Sequence, residues 1–132
     1  MPSILPLYAA LLGLLFFYLS VRTIGVRRRL QIGIGTGDSP EMLRAVRVHS
    51  NFAEYVPLVL VLVFLVESQG APALLVHALG LCLLLGRCAH AYGVSQVKET
   101  FAFRITGMML TFTALLGSCA FLLWRQAAHF AA

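Results

Sequence analysis

Arg44, Arg47, Asn51 and Glu54 lie in the run RAVRVHSNFAEYVPLVLVLVFLVE, which turns without a break into an apolar stretch of membrane length. At about 100° per residue the four positions fall within an arc of roughly 80°, so one helix presents two guanidiniums, an amide and a carboxylate along a single stripe. The chemistry that fits is recognition of a small, polar, doubly functional ligand. A carboxylate meets arginine bidentately, an ammonium meets Glu54, and Asn51 orients either. In LLLGRCAHAYGV, Arg87 and His90 share a helix face at a spacing of three residues, with Tyr92 turned away from both. Arg104 opens a further apolar run. Ionisable groups inside membrane segments are expensive and serve either an internal ion pair or a ligand. Glu54 neutralises one arginine, while Arg44, Arg47, Arg87 and Arg104 are all available, so the cluster keeps surplus positive charge and favours an anion.

The elements that must position these groups follow from composition. With 60% hydrophobic and 11% charged residues in a chain of 132, there is too little polar surface to coat a soluble globule. Apolar segments near residues 4–21, 52–66, 72–93 and 105–124 approach the ~20 residues that a spanning helix needs. The expectation is an all-α integral membrane protein, a four-transmembrane-helix bundle forming one domain over residues 1–132, because the connections are too short to hold a second. The first segment has no basic n-region and ends in Val21 and Arg22 rather than in a small-residue cleavage site, so it reads as a retained span. Arg22, Arg27, Arg28 and Arg29 follow it, and Arg87, Lys98 and Arg104 cluster around the third connection, whereas ESQGAP holds Glu67 and no base. The positive-inside rule then puts both termini outside, with only Arg125 against it. Arg22, Arg47, Arg87, His90 and Arg104 converge in depth toward the inner leaflet.

The net charge of +5 is accounted for by this topology, since the bases sit beside membrane segments instead of forming a basic and aromatic stripe for nucleic acid. Arg22 and the Arg27–Arg28–Arg29 run read as snorkelling or lipid-facing bases. Gly33, Gly35 and Gly37 alternate as a phosphate loop might, yet no GK[ST] follows, so a turn is expected. Asp38 or Ser39 caps the second helix near residue 39, with Pro40 in its first turn and Glu41 completing a capping-box pattern with Asp38. Pro57 removes the hydrogen bond to the carbonyl of Ala53. Cys82, Cys88 and Cys119 read as small apolar fillers, and no His or Cys spacing suits a metal. His49, about 140° from Arg44 on the helical wheel, is assigned to packing, as are Tyr55 and Tyr92. Neither a Ser/His/Asp set nor paired carboxylates are present for hydrolysis.

RAVRVHSNFAEYVP resembles the R-x-x-R-x-H-x-N-x-x-E-x-x-P signature of the MAPEG family, the membrane-associated proteins in eicosanoid and glutathione metabolism, and GRCAH and the arginine opening helix four match as well. The similarity spans nearly the whole chain and looks closest to the small bacterial branch, which implies a bacterial inner membrane. It also implies a homotrimer with glutathione as co-substrate, bound between neighbouring subunits, and a lipophilic substrate arriving through membrane lipids. Carried across, Arg47, Asn51 and Glu54, beside Arg44, hold the glutathione backbone, Arg22, Arg87 and His90 support it, and Arg104 faces the thiol as the catalytic residue.

The chain departs from the pattern at Val94, where eicosanoid-forming members have tyrosine, at Ser50, where some have a further arginine, and at Ile105, where a Ser or Thr adjoins the helix-four arginine. The first expectation is therefore a glutathione transferase or peroxidase acting on lipophilic electrophiles. A non-catalytic lipid- or anion-binding protein using the same basic pocket is the second. A transporter or proton relay is third, because the outer halves of the segments are almost devoid of ionisable residues.

Overall fold

The structure is a computed structural model describing residues 3–96, 98 and 100–131. Four helices follow in chain order, α1 (Leu5–Arg29), α2 (Pro40–Ser68), α3 (Ala73–Ser95) and α4 (Phe101–Phe130), each long and apolar enough to cross a membrane. The helices outrun the apolar segments because charged turns remain helical: α2 starts at Pro40, three turns before its apolar run. Its cap is Ser39, whose hydroxyl accepts from the Met42 N–H at 3.3 Å. Asp38 sits outside the helix with a φ of 54°, so the capping-box pattern does not form. Glu41 pairs instead with Arg29 at the end of α1.

The loop joining α1 to α2 is stapled rather than slack. Gly35 and Gly37 take φ values of +72° and +54°, a conformation that side chains resist. Arg27 Nη1 donates to the carbonyls of Ile32, Gly33 and Gly35 at 3.2 to 3.3 Å. Arg27 and Arg29 thus fasten the connection instead of snorkelling freely.

Leu5, Leu12, Leu19 and Val26 recur every seven residues on α1 and are buried, a heptad repeat that keeps one face of the helix against its neighbours. Leu5, Leu12 and Leu19 meet Val48, Phe52, Val56, Val59, Val63 and Val66 of α2 and Val76, Leu79 and Leu83 of α3 in one apolar core, and Val26 packs with Met42 and Ala45 of α2 in a second, smaller cluster. Large exposed side chains such as Leu14, Phe17, Leu74 and Leu123 cover the periphery, the surface a lipid-facing bundle requires.

α4 is packed differently. It buries Gly107, Thr111, Ala114 and Ser118, a stripe of small residues that lets helix backbones approach closely. The two hydroxyls are satisfied within their own helix, Thr111 donating to Gly107 O at 2.8 Å and Ser118 to Ala114 O at 2.7 Å. On α3 the matching positions are Gly86 and Gly93. A methyl built on Gly107 would lie 2.5 Å from the His90 amide nitrogen, and one on Gly93 would lie 2.9 Å from that of Arg104.

At the opposite end of the bundle the Glu67 carboxylate accepts from the backbone N–H groups of Ser3, Ile4 and Leu5 at 2.7, 2.7 and 2.9 Å. These are donors that the first turn of α1 would otherwise leave unsatisfied. Glu67→Ala is expected to fray that turn and to cost about 1 kcal/mol, as loss of an N-cap does. Faster amide exchange over residues 5–8 in the variant, with exchange in α3 unchanged, is the expected readout; identical exchange in both proteins would contradict it.

Candidate cationic cavity

Three helices build one cavity. The first turns of α2 supply Arg44, Arg47 and Asn51, the last turns of α3 supply His90 and Val94, and the first turn of α4 supplies Arg104. With Pro40 and Leu43 they line a space of about 280 Å³. Its described walls carry three guanidiniums, an imidazole and an amide, and no carboxylate. Arg44 Nη1 donates to Val94 O at 3.0 Å, tying α2 to the end of α3. The close seam at Gly93 and Gly107 brings the start of α4 against α3, which is why His90 and Arg104 reach the same space.

Behind this wall lies Arg87, 1% exposed. Its Nη1 donates to Asn51 Oδ1 at 2.7 Å, its Nη2 contacts the Met108 sulfur at 3.3 Å, and its carbon Cζ stands 5.9 Å from the Tyr55 ring centre. Its Nε has no hydrogen-bond partner among the described residues. A buried guanidinium with no carboxylate beside it is costly to keep. The hydrogen bond has a chemical consequence: with Oδ1 engaged by Arg87, what Asn51 has left to offer a ligand is chiefly the donor capacity of its NH₂. Tyr55 and Met108 enter the site only through this contact. The heptad spacing of Arg87 and Val94 gives their face, but nothing in the run of letters gives the residues opposite it.

Depth is consistent across the bundle. Counting about 20 residues of hydrocarbon thickness inward from the Glu67 end of α2 reaches Arg47. The same count from the start of α3 reaches Tyr92, and from Trp124 of α4 it reaches Arg104. The cavity therefore sits where the spans meet the headgroup region, and Arg87 lies one to two turns deeper.

Of the residues expected at the site, the cavity gathers Arg44, Arg47, Asn51, His90 and Arg104, with Arg87 in contact through Asn51. Glu54 lies on the adjoining turn of α2, exposed, and does not line it. Arg22 lies apart, in a second groove between α1 and α3. His49 stacks on Phe16 at 4.8 Å and meets Ser20 at 3.1 Å, the packing role expected of it. Tyr92 is exposed and edge-on to Phe103. Val94, in the place of the eicosanoid-family tyrosine, does line the cavity, whereas Ile105 is exposed. The described residues contain no group of three or more His, Cys, Asp or Glu side chains placed to hold a metal.

Residues 5–124 match the MAPEG family. Two relatives, both called inner membrane protein YecN and found in Escherichia coli strain K12 and in Escherichia coli O6:H1, are 37% identical over 110 residues, covering 83% of this chain and 82% of theirs. A match over nearly the whole four-helix bundle, with the arginines, Asn51 and His90 brought to one cavity, makes this integral membrane protein a member of the MAPEG family.

Proposed function

We propose that the protein is a homotrimeric, membrane-embedded glutathione-binding enzyme that presents the thiol as thiolate to lipophilic electrophiles. The observation carrying this reading is the convergence on one cavity of Arg47, of the Asn51 amide hydrogen-bonded to Arg87, and of Arg104. Glutathione carries two carboxylates, an ammonium and a thiol. Arg44 and Arg47 suit the carboxylates, Asn51 donates to one of them, Glu54 receives the ammonium, and Arg104 stands by the sulfur.

A thiol of pKa near 8.5 is only a few per cent ionised at neutral pH, and a cation beside it raises the nucleophilic fraction. The thiolate then forms the C–S bond with the electrophile; the thiol proton passes to solvent, and the electron pair leaves on the displaced group or on an opened epoxide oxygen. Exposed Arg47 and Glu54 on the spanning helix α2 support the trimer and a ligand held between copies, since neither group faces hydrocarbon cheaply. A protomer cavity of about 280 Å³ lies just below the usual ligand-site range of about 300–1,000 Å³, as expected if a neighbour completes it. In a bacterial inner membrane with both termini outside, the cavity opens to the cytosolic face.

Calorimetric titration of glutathione into the detergent-solubilised protein tests this. Saturable binding is expected, weakened at least tenfold in Glu54→Ala (about 1.4 kcal/mol), with a thiolate absorbance signal that Arg104→Ala removes. Undiminished affinity in the Glu54 variant would remove its assigned role. Val94 gives the cavity no hydroxyl at the family's tyrosine position, which supports a second reading, a non-catalytic site for an anion or lipid headgroup. A wild-type protein that binds no glutathione while retaining a copurified lipid would favour that one.

A further inference from the structure

Turned roughly 130° around α3 from the cationic cavity, a second groove of about 380 Å³ runs between α1 and α3. The two helices are in close contact toward the outer end, where the ring of Tyr8 lies against Gly80, so close that a methyl there would sit 2.5 Å away, and Tyr8 Oη meets His77 Nδ1 at 2.9 Å. Toward the inner end they part. Tyr18 and Arg22 of α1 and Cys88, Tyr92, Ser95 and Gln96 at the end of α3 line the gap. Arg22 is half-buried, and among the described residues it makes no hydrogen bond or ion pair. No carboxylate lines the groove.

We propose that this groove binds the headgroup of an anionic phospholipid. The lining pairs one guanidinium with hydrogen-bonding phenols and an amide and has no carboxylate to offset that charge, so the net electrostatic preference is for a headgroup carrying net negative charge. Its depth is that of the headgroups, because Arg22 lies about 10 Å before the end of α1 and Tyr92 marks the same boundary on α3. The polar end continues into an apolar trough. Leu15 and Leu19 floor the groove, and exposed Leu11 on α1 and Leu81 and Leu85 on α3 extend the same faces toward the bilayer centre. A polar head joined to an acyl chain fills both parts, whereas a free phosphate fills only the first. The site shares no lining residue with the cationic cavity, so the proposal stands or falls independently of glutathione binding.

Cys88 lines the groove and is exposed, which provides a reporter on the unaltered protein. Its maleimide alkylation, mapped by mass spectrometry, is followed in mixed micelles containing phosphatidylglycerol, phosphatidylcholine, or phosphatidylcholine with inorganic phosphate. Phosphatidylglycerol is expected to slow Cys88 alkylation relative to both others. R22Q should weaken that protection roughly fivefold, the worth of about 1 kcal/mol for one base at an anionic surface, while R28Q keeps it. Equal protection by the two lipids, protection by phosphate alone, equal loss in R28Q, or a Cys88 unreactive in every micelle because another copy covers the groove would each overturn the proposal. Should R22Q fold poorly, the three wild-type arms still decide it.

Discussion

Arg87→Met is expected to leave the bundle at least as stable as the wild type and to weaken the proposed glutathione binding severely. The two effects have opposite origins. Arg87 is 1% exposed, its Nε is unsatisfied among the described residues, and its strongest contact is the 2.7 Å bond to Asn51 Oδ1. A buried charge with no ionised partner is costly, so an apolar side chain of similar volume relieves that cost at the expense of the Asn51 hydrogen bond, and methionine fits irregular space beside Met108 and Tyr55. Binding loses on two counts: the cavity gives up a positive charge behind its wall, and the Asn51 amide loses the partner that engages its Oδ1. A loss of at least tenfold in glutathione affinity, about 1.4 kcal/mol, should accompany an unchanged or raised Tm in detergent. A fall in Tm with affinity intact would make Arg87 a structural post and detach it from the site.

Gly107→Ala should be the most disruptive single methyl in the chain. The added Cβ would lie 2.5 Å from the His90 amide nitrogen and 2.7 Å from Gly86 O, backbone atoms that move only if α3 and α4 separate. Overpacking of this kind costs about 1–3 kcal/mol, and the separation would draw Arg104 away from His90, so ligand binding should fail with stability. Two controls set the scale. Gly117→Ala meets only the tip of Leu79 at 3.1 Å, and Gly13→Ala meets nothing within 4 Å; both should unfold near the wild-type temperature. If all three variants unfold together, the backbone seam is not what holds α3 and α4.

The contrast between this seam and the arginine stripe explains what the sequence makes legible. Charges inside apolar runs stand out against their background, so Arg44, Arg47, Asn51, His90 and Arg104 are identifiable as a set before any helix is placed. Glycines and small hydroxyls inside the same runs do not stand out. Gly86 and Gly93 on α3 and Gly107, Thr111, Ala114 and Ser118 on α4 have the spacing of a close-packed interface, and that spacing was the available signal. A helical wheel fixes a residue's face about its own axis but not which helix lies opposite. Hence Arg22 shares depth with the cavity residues yet faces another groove, and Glu54 shares their stripe yet does not line the cavity. Likewise Arg27 is indistinguishable from a lipid-facing base until the loop carbonyls of Ile32, Gly33 and Gly35 are folded back onto it.

The backbone seam between α3 and α4 also bears on motion. Where Gly86, Gly93 and Gly107 bring the two main chains together there is no room for a methyl between them, which ties the position of Arg104 to that of His90. α2 forms the other wall, and three residues beyond Glu54 its hydrogen-bond ladder is interrupted at Pro57. Of the cavity's walls, the one whose backbone ladder carries such a break is therefore α2, the helix of Arg44, Arg47 and Asn51. The expected give in this cavity is on the α2 side and not at the α3–α4 seam.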